Sequence, residues 1–100
     1  MQVLYKKPAF PPEVIEVENE LKPLQKLVNG YLETITVNSH MVMVLNEEGR
    51  LRNMVPNFYY KNELIVGPVF FCGVTGDGFR DITGYEIRQA EQLIRKGYKT

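Results

Sequence analysis

The residues that carry most enzyme and metal chemistry are scarce in this sequence. Its 100 residues include one histidine, His40, and one cysteine, Cys72. A zinc site needs three or four His, Cys or carboxylate ligands, and an internal disulfide needs two thiols. A solitary imidazole and a solitary thiol therefore exclude a disulfide-stapled scaffold. We expect no metal, no cofactor and no catalytic activity.

Net charge and long hydrophobic runs are also lacking. Twelve basic and twelve acidic residues cancel, whereas proteins that bind bulk nucleic acid usually have an excess of positive charge. The longest nearly uninterrupted apolar stretch, residues 64–74, is well short of the ~20 residues that span a bilayer. The first residues lack the pattern of a signal peptide. We therefore expect a cytoplasmic protein that binds neither bulk nucleic acid nor membrane. Its near-zero net charge offers little repulsion between copies and favours a homo-oligomer.

Hydrophobic residues make up 44% of the chain, which is enough for one core and predicts a single domain over residues 1–100. Two amphipathic patterns predict helices. The first begins near Asn19 or Lys22 and runs to about Asn29, where Gly30 is expected to adopt the left-handed cap conformation. The second begins at a capping box formed by Thr83 and Glu86 and ends at Gly97. Its predicted apolar stripe consists of Ile87, Ala90, Leu93 and Ile94.

Alternating and β-branched segments predict the strands. Short extended segments are expected at residues 3–5 and 12–18. Residues 31–37, 41–45 and 51–55 are expected to form a three-stranded meander, with Gly49 left-handed in the turn before the third strand. Residues 64–74 predict one long buried strand with a bulge or an edge position at Gly67 and Pro68. The predicted fold class is α+β: a small, mainly antiparallel sheet, a meander plus one long buried strand, packed by two helices.

Several isolated features have simple structural interpretations. Glu47 and Glu48 are adjacent carboxylates in a turn, where both are solvated and unsuited to acid–base catalysis. His40 lies in a polar loop with no nucleophile in the strands beside it, and Cys72 lies in an apolar run typical of an inert buried thiol. The glycine-rich residues 73–78 do not lead directly into a helix, because the next one begins only at Thr83, and they lack the lysine of a phosphate loop. A turn is therefore expected there.

The segment from residue 50 to residue 61 is the most informative part of the sequence. It combines cations, carboxamides and three consecutive aromatic residues. Aromatic faces stack on nucleobases, guanidinium groups hold phosphate, and carboxamides read base edges. The predicted ligand-binding residues are Arg50, Arg52, Asn57, Phe58, Tyr59, Tyr60 and Lys61. The alternative is that Phe58 or Tyr60 packs in the core while the cations cover an edge strand.

Several short motifs resemble, in their order and spacing, a known protein family. They are Pro12-Glu13-Val14, the series from Leu21 through Leu24, Gln25 and Val28 to Gly30-Tyr31-Leu32-Glu33, then Asn46-Glu47-Glu48-Gly49, Asn57 and Gly67-Pro68. The family is DUF3846, a domain of unknown function in small proteins of bacteriophages and Firmicutes. The resemblance spans roughly residues 1–75; Asn29 replaces a usual second glycine, and the C-terminal helix has no counterpart. It implies an α+β fold and a phage or mobile-element context, hence the host cytoplasm, and it implies no activity.

Three functions from different classes remain open. The one we favour is a non-enzymatic phage protein that sequesters a small nucleotide-type ligand, such as a host immune signal. The second is an adaptor or inhibitor that acts on a host or phage protein without a small ligand, because clusters of aromatic and arginine residues serve protein interfaces equally well. The third is an enzyme that would have to rely on Glu33, Tyr59 or Arg80.

Overall fold

The computed structural model describes residues 1–98, which form ten secondary-structure elements. The elements, in chain order, are β1 (Gln2–Lys6), β2 (Glu13–Glu16), α1 (Leu21–Val28), β3 (Leu32–Thr36), β4 (Met41–Asn46), β5 (Pro56–Tyr60), β6 (Glu63–Val66), β7 (Val69–Thr75), β8 (Gly78–Arg80) and α2 (Gly84–Lys96). This composition confirms the α+β class and both helices. No helix within the described residues is long and apolar enough to cross a membrane.

Six strands form the main sheet and two form a separate hairpin. The main sheet has the order β2-β1-β7-β4-β3, with β8 paired to the end of β7, and all of its pairings are antiparallel. Strands β5 and β6 pair only with each other. The most buried strands, β4 and β7, lie at the centre, as expected for continuously apolar segments.

Both faces of the main sheet are covered, and alternation along the central strands divides the core into two layers. Phe70 and Cys72 of β7 face α1, where they pack with Leu24 and Val28. Val69 and Phe71 face the other side. That layer is completed by α2 and the β5–β6 hairpin, which contribute Phe58, Ile65, Ala90 and Ile94. The hairpin and α2 are thus neighbours on one face of the sheet.

The ends of α2 show why this helix forms where the sequence predicts it. The Glu86 N–H donates to Thr83 Oγ1 at 3.2 Å, and the Thr83 N–H donates to Glu86 Oε1 at 3.0 Å. These two bonds satisfy N-terminal donors that the helix itself leaves free. The helix ends at Gly97, as predicted.

Two strand predictions are wrong in detail. Residues 51–55 form turns and irregular structure, so the third strand of the meander is absent and β4 pairs with β7 instead. Residues 64–74 are two strands in different sheets. Gly67, at φ 74°, and the buried Pro68 turn the chain from β6 into β7 and form neither a bulge nor an edge. A left-handed glycine followed by a residue without an N–H donor ends the β6 ladder.

Two glycines, Gly30 and Gly49, do not adopt the left-handed conformation that the sequence predicts. The residue that caps α1 in this conformation is Asn29, at φ 62°, and not Gly30. Asparagine tolerates this conformation because its short polar side chain bonds locally. Gly49 is not left-handed; instead, a Cβ there would lie 2.9 Å from Val66 Cγ2, so it permits the close approach of β6.

Candidate functional site

The hairpin of β5 and β6 turns through two residues, Lys61 and Asn62. Both have positive φ, 49° and 67°, which is the pattern of the type I′ turn that joins twisted strands most tightly. Asparagine is common in this conformation, but lysine is not, because its Cβ crowds the backbone at a cost of about 1 kcal/mol. The turn therefore holds Lys61 in a strained backbone conformation at the surface.

The C-terminal end of α2 docks directly on β5. The Tyr59 N–H donates to the Gly97 carbonyl oxygen at 3.1 Å. A Cβ added at Gly97 would collide with the Tyr59 carbonyl oxygen and lie 3.2 Å from Phe58 Cβ. Glycine at this position therefore lets the end of the helix pack directly against the strand.

An open cleft of about 520 Å³ lies between the hairpin and α2. We call it the hairpin–helix cleft. Its volume is within the range of small-ligand sites. It is lined by Tyr59, Tyr60, Lys61, Asn62, Gln89, Gln92, Leu93, Lys96 and Gly97.

The lining of this cleft is cationic and aromatic. It carries two lysines and no carboxylate, and neither Lys61 nor Lys96 forms an ion pair with any residue in the range 1–98. The Lys61 ammonium lies 5.4 Å from the centre of the Tyr60 ring. Tyr60 packs partly against the core, whereas Tyr59 is 40% exposed and also lines the cleft. Two unpaired cations beside an accessible aromatic ring favour an anionic, planar ligand.

Three of the seven residues predicted to bind a ligand line this cleft: Tyr59, Tyr60 and Lys61. Arg50 lies outside it, in a neighbouring cavity of about 590 Å³ that shares Tyr59 and Asn62 with the cleft. There the Arg50 guanidinium donates to the Leu64 carbonyl oxygen at 3.2 Å. The guanidinium of Arg52 donates to the Asn29 carbonyl oxygen at 2.7 Å, and so it stabilises the C-terminal end of α1.

The remaining two predicted residues, Asn57 and Phe58, are buried. Phe58 is 2% exposed and stacks on Phe71 with a centroid separation of 6.4 Å, which is the packing that the alternative interpretation described. The Asn57 carboxamide accepts a bond from Lys6 Nζ at 2.8 Å and donates to the carbonyl oxygens of Lys6 and Gly67 at 2.9 and 2.8 Å. Asn57 therefore ties the hairpin to β1 and is closed to a ligand.

The side chains that α2 contributes to the cleft were not among the predicted residues. Gln89, Gln92 and Lys96 have the i, i+3 and i+7 spacing of one helix face, and Leu93 lies among them. From the sequence this stripe has the appearance of an ordinary solvated helix face. The signal that could have identified it is that this face of the helix carries two carboxamides and a lysine and no acid.

Other reactive groups lie apart from the cleft. Burial raises the pKa of the Cys72 thiol to about 12, which makes the thiol unreactive at neutral pH. Arg80 is paired with Glu86 at 2.8 Å, and Glu33 lines a different cavity from Tyr59. Within residues 1–98, no group of three or more His, Cys, Asp or Glu side chains is placed to hold a metal ion.

Residues 1–98 thus define an antiparallel α+β domain with a cationic, aromatic cleft between a hairpin and a helix. Residues 1–95 match the family described as a domain of unknown function, DUF3846, and the chain belongs to that family. The match takes in α2 almost to its end and so extends beyond the motifs in residues 1–75. No curated protein and no solved structure shows significant similarity to the sequence.

Proposed function

We propose that this protein binds a small nucleotide-type ligand in the hairpin–helix cleft and does not transform it. The observation that carries the proposal is the pair of unpaired lysines, Lys61 and Lys96, in a cleft that is lined by aromatic and amide side chains without a carboxylate. In this proposal Lys61 and Lys96 bind the phosphate or pyrophosphate group of the ligand. The exposed face of Tyr59 suits a nucleobase.

The amide groups around the cleft would provide specificity for the base and the ribose, which positive charge alone does not provide. Asn62, Gln89 and Gln92 each offer a donor and an acceptor, which is what the edge of a base or a ribose requires. In this proposal the protein works by sequestration. In a bacteriophage, sequestration of a host signalling nucleotide would blunt an immune response without any need for turnover.

The strained turn allows binding to be tested separately from folding. Lys61→Asn removes the cation and places a residue that suits left-handed backbone, so we expect stability to rise by a few tenths to about 1 kcal/mol. The same variant loses a charge-assisted contact to phosphate, so we expect the Kd for a bound nucleotide to rise about tenfold or more. Lys26→Gln, on α1 at the opposite face of the sheet, is the matched control and should leave the Kd unchanged.

The measurement is isothermal titration of the purified protein with AMP, ADP-ribose, cyclic dinucleotides, adenosine and inorganic pyrophosphate. We expect at least one nucleotide to bind, with weaker binding to Lys61→Asn, Lys96→Gln and Tyr59→Ala. If no nucleotide binds, or if these variants bind as the wild type does, the proposal is wrong. A host protein that co-purifies with the wild type and equally with all three variants would favour the adaptor function instead.

A further inference from the structure

The outer edge of β3 is an unprotected strand edge. Strand β3 is the last strand of the main sheet and pairs only with β4. The Val37 N–H donates to Met41 O at 3.0 Å, and the Glu47 N–H donates to Tyr31 O at 2.9 Å. In an antiparallel ladder, bonded and non-bonded positions alternate. The backbone groups of Leu32, Thr34 and Thr36 therefore point away from β4 toward solvent.

At the edges of β5, β6 and β8, backbone groups form hydrogen bonds to other parts of the described chain. The outer edge of β5 is taken by the α2 terminus, through the bond from Tyr59 to Gly97. On β6, the Leu64 carbonyl oxygen accepts from Arg50, and on β8 the Phe79 carbonyl oxygen accepts from Asn19 at 3.0 Å.

The edge strand β2 is protected in a different way. It is four residues long, follows two prolines and has a glutamate at each end. Charges, prolines and short length are the usual devices against edge-to-edge pairing.

Of these devices, strand β3 has only a single charge, Glu33. It is five residues long, contains no proline or lysine, and consists of Leu-Glu-Thr-Ile-Thr. No side chain within residues 1–98 bonds to its outward backbone groups. Next to it, Leu51 lines the same cavity as Glu33 and Ile35 and is 85% exposed. An open, β-branched edge beside an exposed leucine is a surface that a further strand would cover.

We infer that the occupant of this edge is β3 of a second copy, paired antiparallel about a two-fold axis at Thr34. In this register Thr34 lies opposite the partner's Thr34, and Leu32 lies opposite the partner's Thr36. All outward N–H and C=O groups of the strand are then satisfied. The result is one sheet continuous across both copies.

The position of Glu33 and the length of the strand favour this register over the two nearest alternative registers. On the face toward α2, Glu33 lies opposite the partner's Ile35. A slip of the register in one direction brings Glu33 opposite the partner's Glu33, and like charges directly opposite are destabilising. A slip in the other direction pairs Leu32 with the partner's Asn38, which belongs to the turn after β3, and leaves fewer strand residues bonded.

Sedimentation equilibrium of the wild type and three variants tests this inference. The wild type is expected to show a concentration-dependent dimer. Thr34→Pro removes an outward donor that β4 does not use, and this variant should be monomeric. Its far-UV circular dichroism and unfolding midpoint should stay close to those of the wild type.

Two lysine variants test the register itself. Thr34→Lys places two ammonium groups opposite each other, whereas Thr36→Lys places its ammonium opposite the partner's Leu32. At low ionic strength we expect the dimer Kd of Thr34→Lys to exceed that of Thr36→Lys about fivefold, and the difference to shrink in high salt. This comparison remains decisive if Thr34→Pro does not fold.

Three results of these measurements would overturn the inference. They are a wild type that stays monomeric up to millimolar concentration, a folded Thr34→Pro variant that still dimerises, and equal dissociation of the two lysine variants. Occupation of β3 by a different polypeptide, with the protein otherwise monomeric, would also overturn it.

Discussion

The buried Lys6 ammonium is held by one side-chain carboxamide and one backbone carbonyl oxygen. Lys6 is 0% exposed, and its Nζ donates to the Asn57 carboxamide at 2.8 Å and to the Lys7 carbonyl oxygen at 2.7 Å. No carboxylate among the described residues pairs with it. An ammonium in this position is stable only while every acceptor around it stays in place.

Asn57→Ala should therefore destabilise the fold strongly. It leaves a buried ammonium one acceptor short and two carbonyl oxygens without donors, so we expect a loss of about 3 kcal/mol in the free energy of unfolding. Urea unfolding of Asn57→Ala, Lys6→Met and the double variant measures the coupling. The double variant should lose at least about 1 kcal/mol less than the sum of the single losses. Additive losses would show that the two side chains do not depend on each other.

The role of Asn57 also shows what a sequence does not reveal about single residues. The segment from residue 50 to residue 61 is rich in residue types that bind ligands, and three of its residues, Tyr59, Tyr60 and Lys61, line the hairpin–helix cleft. The partner of Asn57, however, is 51 positions away on β1. Local composition cannot distinguish an asparagine that reads a base from one that binds a buried lysine.

At the scale of elements, the predictions succeeded where the signal is local. Helix α2 has a capping box at Thr83 and an apolar stripe, and both ends fall where they were expected. The meander failed because pairing between strands is not local: β4 finds β7, across the hairpin that lies between them in sequence. The division of residues 64–74 was missed because a continuous apolar run has the same appearance in one buried strand as in two.

The contact between α2 and β5 gives a prediction at this scale. Gly97→Ala introduces a methyl group against the backbone of Tyr59 and Phe58, and backbone cannot move aside as a flexible side chain can. We expect a loss of about 1–2 kcal/mol in stability. Amide hydrogen exchange should show the Tyr59 N–H unprotected, since its acceptor is the Gly97 carbonyl oxygen.

A second glycine of α2 provides the control for this experiment. At Gly84, in the first turn, the nearest atom to an added Cβ is Arg88 Nη1 at 3.8 Å, an ordinary contact. Because alanine favours helix, Gly84→Ala should be neutral or stabilising by up to about 1 kcal/mol. If both variants lose stability equally, the tight contact at Gly97 does not limit the packing of α2.

For the whole molecule, one ion pair links distant parts of the chain. The Glu86 carboxylate accepts from both terminal nitrogens of Arg80, at 2.9 and 2.8 Å, and Arg80 also donates to the His40 carbonyl oxygen at 3.2 Å. Gly73 makes this arrangement possible, because a Cβ there would collide with the Arg80 guanidinium. The contact joins α2, β8 and the turn after β3.

This ion pair predicts how stability depends on pH. The Arg80 guanidinium lowers the pKa of Glu86 from 4.5 to about 2. A carboxyl whose pKa is lower in the folded state stabilises the fold fully above its unfolded pKa, and loses that contribution as the pH falls toward the folded value. We expect about 2 kcal/mol to be lost between pH 5 and about pH 2, after allowance for the partial exposure of Arg80.

Urea unfolding at several pH values in this window measures the effect. Glu86→Gln should be less stable than the wild type at neutral pH and should show a much flatter acid dependence. Glu91→Gln, a substitution of the same type on the same helix, should retain the dependence of the wild type. An acid dependence in Glu86→Gln equal to that of the wild type would assign the effect to other groups.

The left-handed lysine at the tip of the hairpin has a consequence for how this family diverges. Folding alone favours asparagine or glycine at that position. The proposed binding role therefore predicts that family members which share the ligand keep a cation at this turn. Members without the ligand are expected to carry asparagine or glycine there.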